Sequence, residues 1–162
     1  MLTVISGGQT GPDRAALEAA IASGTPYGGW CPKGGWAEDS PEPPGVLARY
    51  PHLRETPSRQ PEQRTDWNVR DSAALLVLVG QDGLGVSNGT ARAVRHAEAL
   101  DKAVGIVDVT AQDAVRSVQD FLMAFTGQAV CIAGPRESEA PGLQAAAFQV
   151  LKPALSDLVL GA

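Results

Sequence analysis

The sequence is poor in the residues from which metal centres, disulfide frameworks and catalytic dyads are usually built. It contains two cysteines, Cys31 and Cys131, and two histidines, His52 and His96, all well separated along the chain. Because no C-x-x-C pair is present, neither a zinc site nor a disulfide scaffold is indicated. No nucleophile–base pair is evident either. We therefore predict that the protein has no metal site of its own.

Long apolar runs are also missing. No stretch approaches the ~20 residues that a membrane helix needs, and the first residues show neither a basic segment nor a cleavable signal. The net charge of −5 argues against binding to nucleic acid or to an anionic membrane. With 44% hydrophobic and 19% charged residues, we expect a single cytoplasmic domain over residues 1–162.

A glycine-rich turn near the N-terminus is the most informative segment. Gly7, Gly8 and Gly11 separate an apolar run at 2–5 from a helical run at 15–22. A strand that leads into a helix through glycines directs free backbone N–H groups at an anion. The turn therefore predicts a phosphate site, with a tight strand-to-helix turn that binds nothing as the structural alternative.

The residues around this turn show which known types of glycine-rich loop it does not match. Thr10 and Asp13 have capping-box spacing, and Pro12 suits the first helical turn. The segment lacks the Gly-Lys-Ser/Thr ending of an NTPase P-loop and the G-x-G-x-x-G spacing of a dinucleotide-binding turn. Neither of those two families of nucleotide site is therefore indicated.

The rest of the chain alternates between strand and helix patterns. The patterns predict strands at 26–30, 73–79, 104–109 and 129–133, and helices at 61–71, 88–100, 111–125 and 139–159. Alternation of this kind predicts right-handed crossovers in a doubly wound, mainly parallel sheet, hence an α/β fold. Ser138 is predicted to cap the last helix and Pro153 to kink or break it.

One long stretch stands outside this alternation. Residues 31–60 are rich in proline and glycine and show little periodicity. A loop of this length in a compact domain is usually functional or disordered. We therefore predict that burial alone does not order the 31–60 segment and that it covers the ligand when the ligand binds.

Three glycine-bearing loops follow predicted strands, at 7–11, 80–89 and 134–142. The carboxyl ends of parallel strands meet at one edge of a doubly wound sheet, where such folds bind their ligands. We therefore expect the three loops to form one site.

Five blocks carry a resemblance to a known family: Ile5-Ser6-Gly7-Gly8-Gln9-Thr10-Gly11, residues 28–34, residues 55–59, residues 64–72 and residues 134–142. Together they resemble the "putative molybdenum carrier" family over nearly the whole chain. That family is similar to molybdenum-cofactor carrier proteins and, more distantly, to the "lysine decarboxylase"-named phosphoribohydrolases. The resemblance implies a Rossmann-like fold and a small phosphorylated ligand, either the molybdenum cofactor or a nucleotide.

The motifs and the resemblance together place ligand contacts on the three loops, on the 31–60 segment and on the second predicted helix. The predicted ligand-binding residues are Gly7, Gly8, Gln9, Thr10, Gly11, Lys33, Arg64, Asn88, Gly89, Thr90, Arg136, Glu137 and Ser138. Lys33 is equally explained as a solvated loop lysine, and Arg64 as part of an intrahelical ion-pair network with Asp71.

Two classes of function remain open. The first is a binding or carrier protein for a phosphorylated heterocycle, expected to form a homo-oligomer. The second is a nucleotide-processing hydrolase that uses carboxylates from Glu38, Asp39, Glu137 or Glu139. Gly89 and Thr90 resemble part of the phosphoribohydrolase motif P-G-G-x-G-T-x-x-E, whose glutamate is catalytic, and the resemblance places that glutamate at Val94. The binding role is therefore favoured.

Overall fold

The fold is an α/β sandwich whose elements follow the predicted alternation. The computed structural model describes residues 1–162. Its strands are β1 Thr3–Ile5, β2 Tyr27–Gly28, β3 Trp30–Cys31, β4 Arg54–Glu55, β5 Ala74–Val79, β6 Ala103–Asp108 and β7 Ala129–Ala133. Its α-helices are α1 Pro12–Ser23, α2 Pro61–Arg70, α3 Asn88–Ala99, α4 Ala114–Met123 and α5 Leu143–Leu160. None of these helices has the length and apolar character needed to cross a membrane.

Five strands form one parallel sheet in the order β2-β1-β7-β5-β6. The predicted α/β, doubly wound, Rossmann-like fold is confirmed. The last strand, β7, returns to lie between β1 and β5, with Val130 in register with both Val4 and Ala74. The loops that follow these three central strands consequently lie side by side, at the edge where such sheets bind ligands.

Helices cover both faces of the sheet. On one face α1, α4 and α5 pack around a large apolar cluster that includes Leu76, Leu78 and Ile132. On the other face α2 and α3 pack over Leu75 and Val77. All six residues of β5 are buried, as its continuous apolar sequence predicts for a central parallel strand.

The 31–60 segment differs from its prediction. It contributes β3 and β4, which pair with each other in parallel, and Val46, Tyr50 and Leu53 bury themselves against Leu17 of α1. The Asp39 carboxylate also accepts two hydrogen bonds of 2.9 Å from the Arg14 guanidinium. The prediction that burial alone does not order this segment is wrong, because a small apolar core of its own holds it against α1.

Both predicted helix caps are also wrong. Gly11 precedes α1 and no side chain caps that helix; the Thr10 hydroxyl instead donates to Glu38 Oε1 at 2.5 Å. Helix α5 begins after Gly142, four residues beyond Ser138. The hydroxyl of Ser138 likewise donates to Glu38, at 2.6 Å. In both cases the hydroxyl donates to the carboxylate of Glu38, which is distant in the sequence, and does not cap the neighbouring helix.

Two further details of the secondary structure differ from their predictions. The predicted strand at 26–30 is divided by Gly29, so that β2 belongs to the main sheet and β3 to the two-stranded sheet. Pro153 lies inside α5 without ending it.

Candidate ligand site

A cavity of about 580 Å³ opens where the loops after β1 and β7 meet α2 and α3. This volume lies within the usual range of small-ligand sites. The residues that line the cavity come from five parts of the sequence and fall within residues 7–13, 61–69, 87–95, 131–134 and 136–139, although not every residue of these ranges reaches it. The topology therefore brings the ends of β1 and β7 and the start of α3 to one site, as predicted.

A buried ion pair lies at the inner end of the cavity. Arg64 of α2 donates from Nη1 to the backbone oxygen of Gly7 at 2.8 Å, and the same Nη1 is 3.9 Å from Asp13 Oδ2. Burial raises the pKa of Asp13 to about 6, opposed by the charge of Arg64 and by the backbone amide of Gln9. Burial also lowers the pKa of Arg64, opposed by Asp13. The two charges compensate each other, so this end is close to neutral.

Gln9 lies beside this pair and is 4% exposed. Its Oε1 accepts hydrogen bonds from the backbone N–H groups of Thr10 and Glu38, each at 3.0 Å. Its Nε2 is buried and has no hydrogen-bond partner, the one such side-chain atom in the protein. Native structures rarely leave a buried donor unpaired.

Both polar atoms of Asn68, in contrast, have a backbone partner. Its Oδ1 accepts from the backbone N–H of Trp30 at 2.7 Å, and its Nδ2 donates to the backbone oxygen of Trp30 at 2.9 Å. This pair of bonds fixes β3 to α2. Asn68 therefore helps to hold the wall of the cavity in place.

The outer end of the cavity is the N-terminus of α3. Ser87 caps the helix, since its Oγ accepts from the N–H of Thr90 at 3.1 Å. The N–H groups of Asn88 and Gly89, the first two helical residues, have no acceptor within the helix. Both residues line the cavity and are exposed, so this end presents the partial positive charge of a helix N-terminus.

Arginines strengthen the positive character of the cavity. The charged side chains that line it are Arg64, Arg92, Arg95, Arg136, Asp13, Glu62 and Glu139. Four arginines against three carboxylates leave one net positive charge, in a protein whose overall charge is −5. Arg95 belongs to no ion pair. Arg92 is paired with Asp66 at 2.8 Å, so Arg95 on α3 is the cation of the cavity without a carboxylate partner, and this unpaired charge suits an anion.

The backbone of the first glycine loop is largely engaged within the protein. The N–H of Gly8 donates to Ser6 Oγ at 3.2 Å, and that of Gly11 donates to Gln144 Oε1 at 3.0 Å. The N–H of Thr10 donates to Gln9, as described above. These three donors are consequently not free for a ligand.

The cavity contains eight of the thirteen predicted ligand-binding residues. They are Gly7, Gln9, Arg64, Asn88, Gly89, Thr90, Arg136 and Ser138. The remaining five do not line it: Gly8, Thr10, Gly11, Lys33 and Glu137. Gly8 faces Val46 and Leu53 of the 31–60 segment, and Lys33 is exposed to solvent.

Sequence reasoning missed several residues that line the cavity, above all Asp13, Asn68, Arg92 and Arg95. For three of these residues, their spacing along the predicted helices was a signal that could have identified them. Asn68 follows Arg64 by four residues and Arg95 follows Arg92 by three, so that each pair shares a helix face. Asp13 has the spacing of a capping residue, but it lies at the inner end of the cavity and caps no helix.

The carboxylates proposed for hydrolysis are mostly elsewhere. Of the four, only Glu139 lines the cavity, and it lies 3.6 Å from Arg136. In the phosphoribohydrolase motif Gly-Thr-x-x-Glu, the glutamate lies three residues after the threonine. Alignment of that threonine with Thr90 places the glutamate at Ala93, one residue before the predicted position Val94. Ala93 lines the cavity and Val94 packs in the apolar core. Neither position carries a carboxylate.

No group of three or more His, Cys, Asp or Glu side chains is arranged to hold a metal ion.

Comparison with known proteins agrees with this architecture. The family model described as "Circularly permutated YpsA SLOG family" matches residues 4–155. A crystal structure described as that of a putative molybdenum carrier protein from Syntrophus aciditrophicus SB is 33% identical. It aligns with a TM-score of 0.77, over 93% of this chain and 92% of that one. No curated protein matches the sequence significantly. The resemblance stated from the sequence is confirmed.

Proposed function

Because the chain belongs to the circularly permuted YpsA SLOG family, we propose that it is a binding or carrier protein for a small phosphorylated heterocycle. The ligand class comprises the molybdenum cofactor and nucleotides. Both combine a flat, hydrogen-bonding ring system with a phosphate, and the structural neighbour from Syntrophus aciditrophicus SB is described as a putative molybdenum carrier protein.

The observation that carries the proposal is the chemical division of the cavity. Its outer end combines the first amides of α3 with the unpaired Arg95, whereas its inner end contains the compensated pair Asp13 and Arg64. A phosphate suits the first environment, because backbone N–H groups and guanidinium groups make charge-assisted hydrogen bonds to it. A neutral ring suits the second. One molecule with both parts matches both environments.

The residues present fit this ligand class. The volume of about 580 Å³ is sufficient for a nucleoside monophosphate or a phosphorylated pterin. Asn88, Gly89 and Arg95 would hold the phosphate. In a carrier role these residues bind and orient the ligand and leave its covalent bonds unchanged.

Binding can be tested directly. Native mass spectrometry of protein purified from its own host is expected to show a retained phosphorylated ligand. Calorimetric titration with ribose 5-phosphate should give measurable binding, weakened about 3- to 20-fold by Arg95→Gln, as expected for one charge-assisted hydrogen bond at a partly exposed site.

Arg116→Gln is the matched control, since Arg116 lies on α4 at the opposite face of the sheet and pairs with Asp120. The control is expected to bind as the wild type does. Absence of any retained ligand, together with no binding of ribose 5-phosphate, would overturn the proposed function.

A further inference from the structure

We propose that the inner end of the cavity is a subsite for a hydrogen-bond acceptor on the ligand's ring, with the side-chain amide of Gln9 as the donor that determines specificity. The acceptor is a carbonyl oxygen or an unprotonated ring nitrogen. This inference rests on the proposed function and deepens it, because it assigns the ring to the inner end and the phosphate to the outer end.

The hydrogen bonds of the Gln9 side chain fix the orientation of its amide. Two backbone N–H groups, those of Thr10 and Glu38, both donate to the same side-chain atom. Only an oxygen can accept from both, so the amide has one permitted orientation. The –NH₂ group therefore occupies the other position, where it is a donor and cannot act as an acceptor.

This donor is unsatisfied. Gln9 is 4% exposed, and its Nε2 has no partner although Oε1 has two. Folding has removed the –NH₂ group from water without supplying an acceptor, which is costly. Because Gln9 lines the cavity, a ligand bound there that supplies the missing acceptor explains this group.

The surroundings of the Gln9 amide are close to neutral. Arg64 and Asp13, which lie at the same end, form a buried pair that compensates its own charge. Both polar atoms of Asn68 have a partner in the backbone of Trp30, whereas Gln9 Nε2 has none. A neutral acceptor on the ligand complements this donor better than a second charge.

This arrangement predicts selectivity as well as affinity. A site built to hydrogen-bond a ligand atom discriminates strongly against ligands that lack that atom, because the buried partner is then left unpaired. Ligands that carry only the sugar phosphate should therefore bind through the outer end and gain nothing from Gln9.

Two sets of probes test the subsite by calorimetric titration. Ribose 5-phosphate reports on the outer end alone. A panel of five nucleoside 5′-monophosphates and one pterin monophosphate reports on both ends. In the wild type, at least one member of the panel is expected to bind tenfold or more tightly than ribose 5-phosphate.

Two variants remove the donor in different ways. Gln9→Met deletes both polar atoms, whereas Gln9→Glu retains an oxygen for the N–H groups of Thr10 and Glu38 and replaces only the donor. Gln144→Met is the matched control, since Gln144 also accepts a hydrogen bond from the loop, from Gly11, but does not line the cavity.

The expected result is a loss of tenfold or more in the affinity of Gln9→Met for the preferred panel member, with ribose 5-phosphate changed by less than twofold. Gln9→Glu should lose at least as much affinity for that panel member, relative to its affinity for ribose 5-phosphate. Gln144→Met should bind both probes with the affinity of the wild type.

Three results would overturn the inference while leaving the proposed function standing. They are a panel that binds no more tightly than ribose 5-phosphate, Gln9 variants that retain the wild-type preference, and Gln9 variants that weaken both probes equally. Failure of ribose 5-phosphate and of every panel member to bind the wild type counts instead against the proposed function itself.

Discussion

The backbone N–H of Glu38 donates a hydrogen bond of 3.0 Å to the side-chain oxygen of Gln9. This contact joins the 31–60 segment to the inner end of the cavity. The Glu38 carboxylate adds a second contact to the loop after β1 and one to the loop after β7, because Oε1 accepts from the Thr10 hydroxyl at 2.5 Å and from the Ser138 N–H at 3.1 Å. One residue thus connects the segment to the loops that follow β1 and β7.

We predict that Glu38→Ala lowers the free energy of unfolding by about 1.5–3 kcal/mol, since hydrogen bonds to a charged group are lost and Thr10 and Ser138 are left without their acceptor. Chemical denaturation at pH 7 measures the effect. Glu42→Ala, which changes an exposed carboxylate of the same segment, is the control and should change stability by less than about 0.5 kcal/mol. Equal stability of the two variants would contradict the prediction.

The Glu38 contacts also predict a pH dependence. Burial alone would raise the pKa of this carboxyl, but hydrogen bonds from Ser138 and Thr10 outweigh it and hold the pKa below its ordinary value. The stabilisation is therefore present above the unfolded pKa, 4.5, and is lost as the pH falls through the lower folded pKa. The stability difference between wild type and Glu38→Ala should shrink over that range. A difference that stays constant down to pH 3 would refute this assignment.

The pH dependence of stability expected from Asp13 has the opposite sign to that expected from Glu38. Its pKa of about 6 in the folded protein, raised mainly by burial, exceeds its unfolded value of 3.8. Stability from this group is therefore complete below pH 3.8 and is lost as the pH rises through about 6. Arg64→Met should raise the pKa further, because the positive charge 3.9 Å away is removed. Side-chain ¹³C NMR titration measures both values, and titration near pH 4 in either protein would contradict the prediction.

Much of the fold was predictable because its signals are local. The continuous apolar run of β5 and the glycine loops after β1 and β7 do not depend on distant residues for their interpretation. Within the site, Arg64 and the Asn88–Thr90 turn were likewise recognisable from type and spacing. Their convergence followed from strand order in a parallel sheet.

The remaining features depend on contacts between distant parts of the chain. Thr10 and Ser138 resemble helix caps locally, yet both donate to Glu38. Gly8 belongs to the glycine motif but faces Val46 and Leu53, more than 35 positions away in the numbering. The 31–60 segment lacks periodicity because its apolar residues pack as isolated anchors against α1 rather than along a regular element.

Lys102 binds backbone oxygens at the C-terminal end of α2, and its substitution tests how much these contacts contribute to stability. Its ammonium donates to the backbone oxygens of Val69, Arg70 and Ser72 at 2.7, 2.5 and 2.6 Å. A cation here satisfies carbonyls at the C-terminal end of α2 and complements the helix dipole. Lys102→Met should cost about 1.5–3 kcal/mol of stability. Lys152→Met, at an exposed position of α5, is the control in thermal or chemical unfolding, and an equal effect in both variants would contradict the role given to Lys102.

Gly11 tests how closely the loops after β1 and β7 approach each other. Its φ of 86° is in the left-handed region, and a Cβ added there would collide with the backbone oxygen of Pro135. Because that obstacle is backbone, it cannot yield as a flexible side chain would. Gly11→Ala is therefore expected to lower the free energy of unfolding by about 2–4 kcal/mol through strain and overpacking.

The matched variant is Gly85→Ala, since an added Cβ at Gly85 meets nothing within 4 Å and that residue has no positive φ. Its stability should lie within about 0.5 kcal/mol of wild type. Both are measured by chemical denaturation. If Gly11→Ala were as stable as Gly85→Ala, the two loops would have to separate at little cost, and the cavity they border would not be preformed.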